Sequence, residues 1–269
     1  MNYIGIRGHR GAGKSSVGCL LGLVMDAMLK DYPIEYIDDN WSDWCDNIMK
    51  DPLFVYNCSL DKVYLESFSD NIKVFVQMIL GCPQEYLYND RYKDTIVVNF
   101  RDFTYKEYDP NTHKDLFTAD QMYDSINKEE DPQPFRKNSY MTLREFILYF
   151  GLEVMQRFFG RNVWVKSLKS NTELWGNIFN ESNYYKIFLD LKTPAEATYI
   201  KQCDGVIINV TRPDNKKGSS GLERLGQDNR VDYELLVESD LYSIKEQVIN
   251  IANSILYGRD EKENQKEGE

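Results

Sequence analysis

The sequence predicts an α/β fold, helices packed on a central and mostly parallel β-sheet, and three observations predict it. Short β-prone runs alternate with segments of helical spacing along most of the chain. The opening run, Asn2 to Arg7, passes through a glycine-rich turn directly into an apolar, helix-length stretch, Lys14 to Leu29. A length of 269 residues with 42% hydrophobic residues is enough for one large domain with a substantial core.

Each element follows from local pattern. After the first strand and helix, Ile34 to Ile37 predicts a second strand, and the acidic, tryptophan-containing stretch Asp38 to Asp46 begins another helix. Val63 to Phe68 predicts a strand. Asp70 to Leu80 sets Ile72, Phe75, Val76 and Ile79 on one helical face, with Gly81 as the stop. Residues 101–140 are rich in Asp, Asn, Lys, Pro and Tyr and predict an insertion. Thr142 to Phe159 returns to helical spacing, with Thr142 and Glu145 forming a capping box, and a further helix runs on from Val163. Tyr185 to Leu189 is a strand ending at Asp190, Glu196 to Gln202 a short helix and Val206 to Val210 the next strand. Tyr233 to Val237 and Ser243 to Leu256 supply a last strand and helix, and the charged residues 258–269 predict a disordered tail. The expected organisation is one domain over residues 1–257 with an insertion at 101–140, followed by that tail.

Composition narrows the function. With 32 basic and 43 acidic residues the net charge is -11, the wrong sign for coating a nucleic acid polymer, whereas a small phosphorylated ligand needs only a few converging amides and cations. Five scattered cysteines suggest reduced thiols, and two histidines leave Lys, Arg, Asp, Glu and magnesium to carry any chemistry. The most apolar run, Val17 to Leu29, is too short to span a bilayer and contains Asp26, so no membrane partner is expected. Met1 leads directly into a strand without a signal-peptide start. The expected location is the cytoplasm, that of the host for a viral chain. A homodimer is compatible with the sequence.

Residues Gly8, His9, Arg10, Gly11, Ala12, Gly13, Lys14 and Ser15 match GxxxxGK[ST] at every fixed position, between a strand and a helix, with Ser16 following. Such a phosphate loop predicts the three-layer P-loop NTPase fold with helical insertions or a lid. Its glycines let the backbone wrap an anion while the helix start adds its positive dipole end. Lys14 supplies a cation for the β- and γ-phosphates, Ser15 a hydroxyl for Mg²⁺, and Arg10 further charge. ATP and Mg²⁺ are the cofactors this implies.

Three groups are candidates for a second substrate: Ser69, Asp70 and Lys73 at a helix start; Arg144, Glu153 and Arg157 on one long helix; and Asp190, Lys192 and Glu196 after a buried strand. Arg144 and Arg157 are thirteen residues apart, so on a regular α-helix their directions differ by about 140°. Asp190 is placed to organise magnesium and water.

These segments resemble the bacteriophage deoxynucleoside monophosphate kinases, relatives of adenylate and guanylate kinases. The resemblance spans nearly the whole chain, through GHRGAGKSS, SFSDNIK, LREFILYFGLEVMQRFFGRNVWVKSL and FLDLKTPAEATYIKQCDGVIINVTRPD. It implies that Ser67, Phe68, Ser69, Asp70 and Lys73 face the acceptor nucleotide, and that Arg144, Gly151, Glu153, Arg157 and Trp164 form a monophosphate site. It also matches Asp190, Glu196, Arg212 and Pro213, the last two on the cofactor side. Lys192 stands where the family has arginine, and Lys217 to Glu223 lacks the family's histidine, serine and glutamate element. The implied reaction is γ-phosphoryl transfer from Mg-ATP to a (deoxy)nucleoside monophosphate. Lys14, Arg157 and Asp190 are its expected catalytic residues. Alternatives are a kinase for another small phosphorylated metabolite and a nucleotide-binding regulatory protein without turnover.

Overall fold

The computed structural model describes residues 2–9, 11–51, 53–99, 102–109, 111, 116, 140–155, 159–160, 162–169, 184–213 and 230–258; for Leu152 and Glu153 only the backbone is described. Most of the expected insertion, the segment after Pro213, the tail from residue 259, and both Arg10 and Arg157 lie outside the described residues.

Strand β1 (Asn2–Gly8) precedes helices α1 (Lys14–Leu29), α2 (Ile34–Lys50) and α3 (Phe54–Asn57), then strand β2 (Val63–Glu66). Helices α4 (Asp70–Leu80), α5 (Gln84–Tyr88) and α6 (Asp90–Thr95) lead to strands β3 (Ile96–Asn99), β4 (Tyr105–Glu107) and β5 (Tyr140–Thr142). Helix α7 (Leu143–Leu148) runs into a π-helical turn (Tyr149–Val154), and α8 covers residues 163–169. The chain continues with β6 (Tyr185–Leu191), α9 (Pro194–Gln202), β7 (Val206–Thr211), β8 (Tyr233–Leu236) and α10 (Lys245–Tyr257). Two compact units result, Met1–Phe68 with Leu168–Glu269, and Ser69–Ser167.

The first unit is built on a five-stranded sheet of order β2-β6-β1-β7-β8. Every pairing in it is parallel. Such a sheet needs cover on both faces, and its inner strands β1 and β6 accordingly bury nearly every residue. Ile4, Ile6, Ile187, Leu189, Ile208 and Val210 pack with apolar residues of α1, α2 and α10. Tyr3 and Phe188 carry the other face, where Tyr3 also meets Tyr199 of α9. At Gly18 helix α1 comes so close to the sheet that an added Cβ would lie 2.4 Å from Leu189 Cδ2. On the open side of β8, the Gln247 side chain accepts from the Leu236 N–H and donates to the Leu236 carbonyl, both at 3.0 Å.

The expected strand at Ile34 to Ile37 is instead the first turn of α2. Pro33 occupies the N-cap with extended backbone, and Ile37, Trp41, Trp44, Cys45 and Ile48 recur at helical spacing and are all buried. A β-prone tetrapeptide thus yields to a longer period that buries five side chains. Asp190 lies within β6 rather than just past it.

Asp26, buried on α1, anchors the chain that enters β2. Its carboxylate accepts the Asp61 and Lys62 amides at 2.8 and 2.7 Å and pairs with Lys30 at 2.7 Å. Asp26→Ala leaves two amides unpaired and Lys30 with Asp61 as its remaining carboxylate at 2.7 Å, so the expected loss of stability is about 2 kcal/mol, read from urea midpoints. A change below about 0.5 kcal/mol would show that water replaces the carboxylate.

The second unit has its own core, formed by Ile72, Val76, Leu80, Leu87, Ile96, Val98, Met141, Leu143, Phe146 and Trp164 with Cys82. Helix α4 spans the residues expected of it, and Gly81 ends it in the left-handed region at φ 63°. Phe75, expected on the buried face, is 41% exposed and stacks on Phe150. The two margins of the expected insertion are ordered strands. β4 and β5 flank β3 in a small antiparallel sheet, an arrangement that local composition did not signal.

Thr142 caps α7 as expected, accepting the Glu145 N–H. The helix that follows is regular only to Leu148 before it widens into the π turn. The 140° separation expected between Arg144 and Arg157 assumed an unbroken α-helix, and the π turn removes that premise. The five cysteines are free thiols. Among the described residues no helix is long and apolar enough to cross a membrane.

Candidate functional site

The loop after β1 is shaped by backbone that other residues resist. Gly8, Gly11 and Gly13 have φ of 151°, 78° and 90°. At Gly8 an added Cβ would lie 2.3 Å from the Val210 carbonyl oxygen, whereas at Gly13 it would meet nothing within 4 Å. The wall of the loop is therefore tight against β7 and its helix end is open.

Gly13 stands in left-handed conformation at the N-cap of α1, and the first helical bond runs from the Val17 N–H to the Gly13 carbonyl at 2.9 Å. The opening amides of a helix have no acceptor within it. No side chain caps α1 and its first turn carries no acid, so nothing nearby on that helix offsets its positive end. Lys14 Nζ donates to the carbonyls of Gly8 (2.8 Å) and His9 (2.9 Å), which ties the ammonium across the loop. The His9 carbonyl also accepts the Ala12 N–H, closing a turn over a buried Ala12. Ser15 and Ser16 are half-buried in the first turn.

Asp190 on β6 is buried. Its Oδ1 accepts the Phe68 amide at 3.0 Å and its Oδ2 faces Lys192 Nζ at 3.0 Å. Glu196 forms a reciprocal capping box with Thr193 at the start of α9. Its Oε2 accepts the Lys192 and Thr193 amides at 2.6 and 3.0 Å. Arg212 donates to the Ser239 carbonyl at 2.7 Å, and Pro213 is exposed beside it.

Burial pushes the Glu196 carboxyl up to about 7. The folded state thus holds this proton more tightly than the unfolded chain. The associated stability is present below the unfolded value near 4.5 and lost as pH rises to about 7, in all about 3 kcal/mol. Glu196→Gln keeps the cap but not the charge. The difference in urea midpoint between variant and wild type should therefore grow in the variant's favour from pH 4.5 to 8. A pH-independent difference would refute this.

In the second unit Ser69 is the N-cap of α4. Lys73 is buried, 3.1 Å from Asp70 Oδ1, with Nζ 4.1 Å from the centre of the Tyr88 ring. Arg144 grips Asp94 with two bonds, 2.5 and 3.0 Å, and donates to Asp90 Oδ1 at 3.1 Å. The backbone of Glu153 lies in the π turn. Trp164 is buried and donates its indole N–H to the Gly151 carbonyl at 2.8 Å, which satisfies an acceptor inside that turn.

Several charged residues escaped sequence reasoning. Arg7, one residue before the loop, is buried on β1, with Nε 3.3 Å from Asn209 Oδ1. Asn209 in turn donates to Glu234 at 2.7 Å, so one polar rung crosses β1, β7 and β8 in register. A charged residue inside an apolar central strand was its visible signal. Lys93, Asp90 and Asp94 lie in a polar stretch where no spacing marks them out. Among the described residues no three His, Cys, Asp or Glu side chains gather as a metal-holding group. No protein-family model matches this sequence, and no curated protein is significantly similar to it.

Proposed function

We propose that this chain is a phosphotransferase that moves the γ-phosphoryl group of Mg-ATP to a nucleoside monophosphate, in particular a deoxynucleotide, to give the diphosphate. One observation carries the reading. A complete GxxxxGK[ST] loop joins a central parallel strand to a buried helix whose start is uncapped and free of acid. The five-stranded parallel sheet with helices on both faces is compatible with the P-loop three-layer fold.

The residues present suit a triphosphate: the loop is open at Gly13, and an ammonium stands across it on exchangeable hydrogen bonds. One hydroxyl and one carboxylate, Ser15 and Asp190, are the hard oxygen donors that magnesium prefers alongside phosphate oxygens. When bound, magnesium offsets the charge that shifts with the transferring group. Lys14 and the first-turn amides of α1 hold the donor phosphates, Arg144 or Arg157 holds the acceptor phosphate, and Asp70 and Lys73 line the acceptor side. The acceptor phosphate is already ionised, so a chain with two histidines needs no strong general base.

A second reading, nucleotide binding without turnover, is favoured by the Lys192 to Asp190 pair, which neutralises the carboxylate assigned to magnesium. Incubation with Mg-ATP and a panel of ribo- and deoxynucleoside monophosphates decides between them. Diphosphate formation supports the kinase. ATP binding with no product from any acceptor supports the second reading.

A further inference from the structure

We propose that Lys93 joins Arg144 and Lys73 in a phosphate-monoester site within the unit Ser69–Ser167, and that the Asp90 carboxylate is the displaceable anion holding this site in the free protein. The proposal rests on the kinase reading and specifies where its acceptor phosphate binds.

The arrangement of exposure points to a ligand. The Lys93 and Arg144 side chains are 16% and 17% exposed, whereas Asp90 is 73% exposed. The cations are set into the protein and the anion that answers them stands in solvent. Asp90 is the partner with solvent to move into.

The bonding geometry names the kind of anion. Asp90 Oδ1 alone receives Lys93 Nζ at 2.9 Å and Arg144 Nη2 at 3.1 Å, so a single oxygen atom is the meeting point of two cations from α6 and α7. A phosphate monoester offers three such oxygens in place of one, and an arginine fork matches two of them. Lys73, itself paired with Asp70 at 3.1 Å, lies within electrostatic reach of Lys93. Its side chain is only 9% exposed, and it depresses Lys93 electrostatically in the same direction as the burial of Lys93 itself. Asp90 responds in the opposite sense: against the upward push of burial, Lys93 and Arg144 hold its carboxyl down to about 2. Asp94, 49% exposed, remains on Arg144 and fixes the guanidinium plane.

The test uses the full chain and calorimetry with dAMP, dCMP, dGMP and dTMP, with Mg-ATP titrated separately. Asp90→Asn keeps the side chain's shape and one acceptor oxygen while removing its charge, with folding checked by circular dichroism, and it should tighten monophosphate binding about threefold by removing the competitor. Lys93→Met should weaken it about tenfold or more, the worth of one charged hydrogen bond. Mg-ATP affinity should stay within about twofold in both. Should Lys93→Met fail to fold, as judged by circular dichroism, Asp90→Asn decides alone. Wild-type binding that Asp90→Asn weakens or leaves unchanged overturns the proposal and leaves the kinase reading standing. Absence of monophosphate binding in wild type and in Asp90→Asn alike overturns both.

Discussion

Lys14→Ala is expected to lower the rate of diphosphate formation by about 10²- to 10³-fold, the usual cost of removing one charged donor from the transferring group. The structure adds a signature to that figure. In the free protein Lys14 Nζ is bound to the Gly8 and His9 carbonyls, so gripping a phosphate exchanges existing hydrogen bonds rather than creating them from nothing. ATP affinity should therefore fall less than the turnover number, because the charge matters most when negative charge shifts onto the oxygens between the phosphates. Initial rates at saturating ATP, set against ATP affinity from calorimetry, measure the two separately. Transfer at the wild-type rate would remove Lys14, and with it the loop, from the chemistry.

Gly8→Ala is expected to cost about 3 kcal/mol or more of folding stability, for two independent reasons. The backbone at φ 151° is one that side-chain-bearing residues rarely adopt, and the added methyl would sit 2.3 Å from the Val210 carbonyl oxygen. That oxygen belongs to β7, which lies beside β1 in the middle of the sheet and has no room to retreat. Urea denaturation followed by circular dichroism is the measurement. A variant within about 0.5 kcal/mol of wild type would show that the strand ends are looser than they look. The same substitution at Gly13, with space around it, meets only the positive φ and should be milder.

The contrast between these glycines shows what was legible in the sequence. The motif marks both positions alike, but only the folded sheet shows which is constrained by a neighbour and which has open space around it. Elements governed by their own residues were legible to the residue: α1, and α4 with its Gly81 stop. The capping residue Thr142 likewise acts within three residues of itself, whereas the helix expected from Glu196 begins at Pro194, behind a Thr193 cap that the expected boundary leaves out. What else local pattern missed depends on distant partners. Ile34 to Ile37 is helical because later residues of α2 extend its buried stripe, and β4 and β5 exist because β3 lies between them. The π turn holds a carbonyl that Trp164 satisfies from thirteen residues away. Lys93 acquires meaning only from Arg144, over fifty positions later in the chain, and Arg7 from Asn209. Glu196 carries two explanations at once, since the residue the family resemblance assigns to substrate is also the reciprocal cap of α9.

The side chain of Gln247 has a consequence for life in a crowded solution. By offering an amide oxygen and an amide nitrogen to Leu236, it plays for one residue the part that the backbone of a sixth strand would play. A stranger's extended segment arriving at the rim of the sheet finds that position already taken, and Leu236, 38% exposed there, is not an invitation to templated stacking. Among the described residues the sheet ends at β8, and the last helix supplies a stopper for it at Leu236.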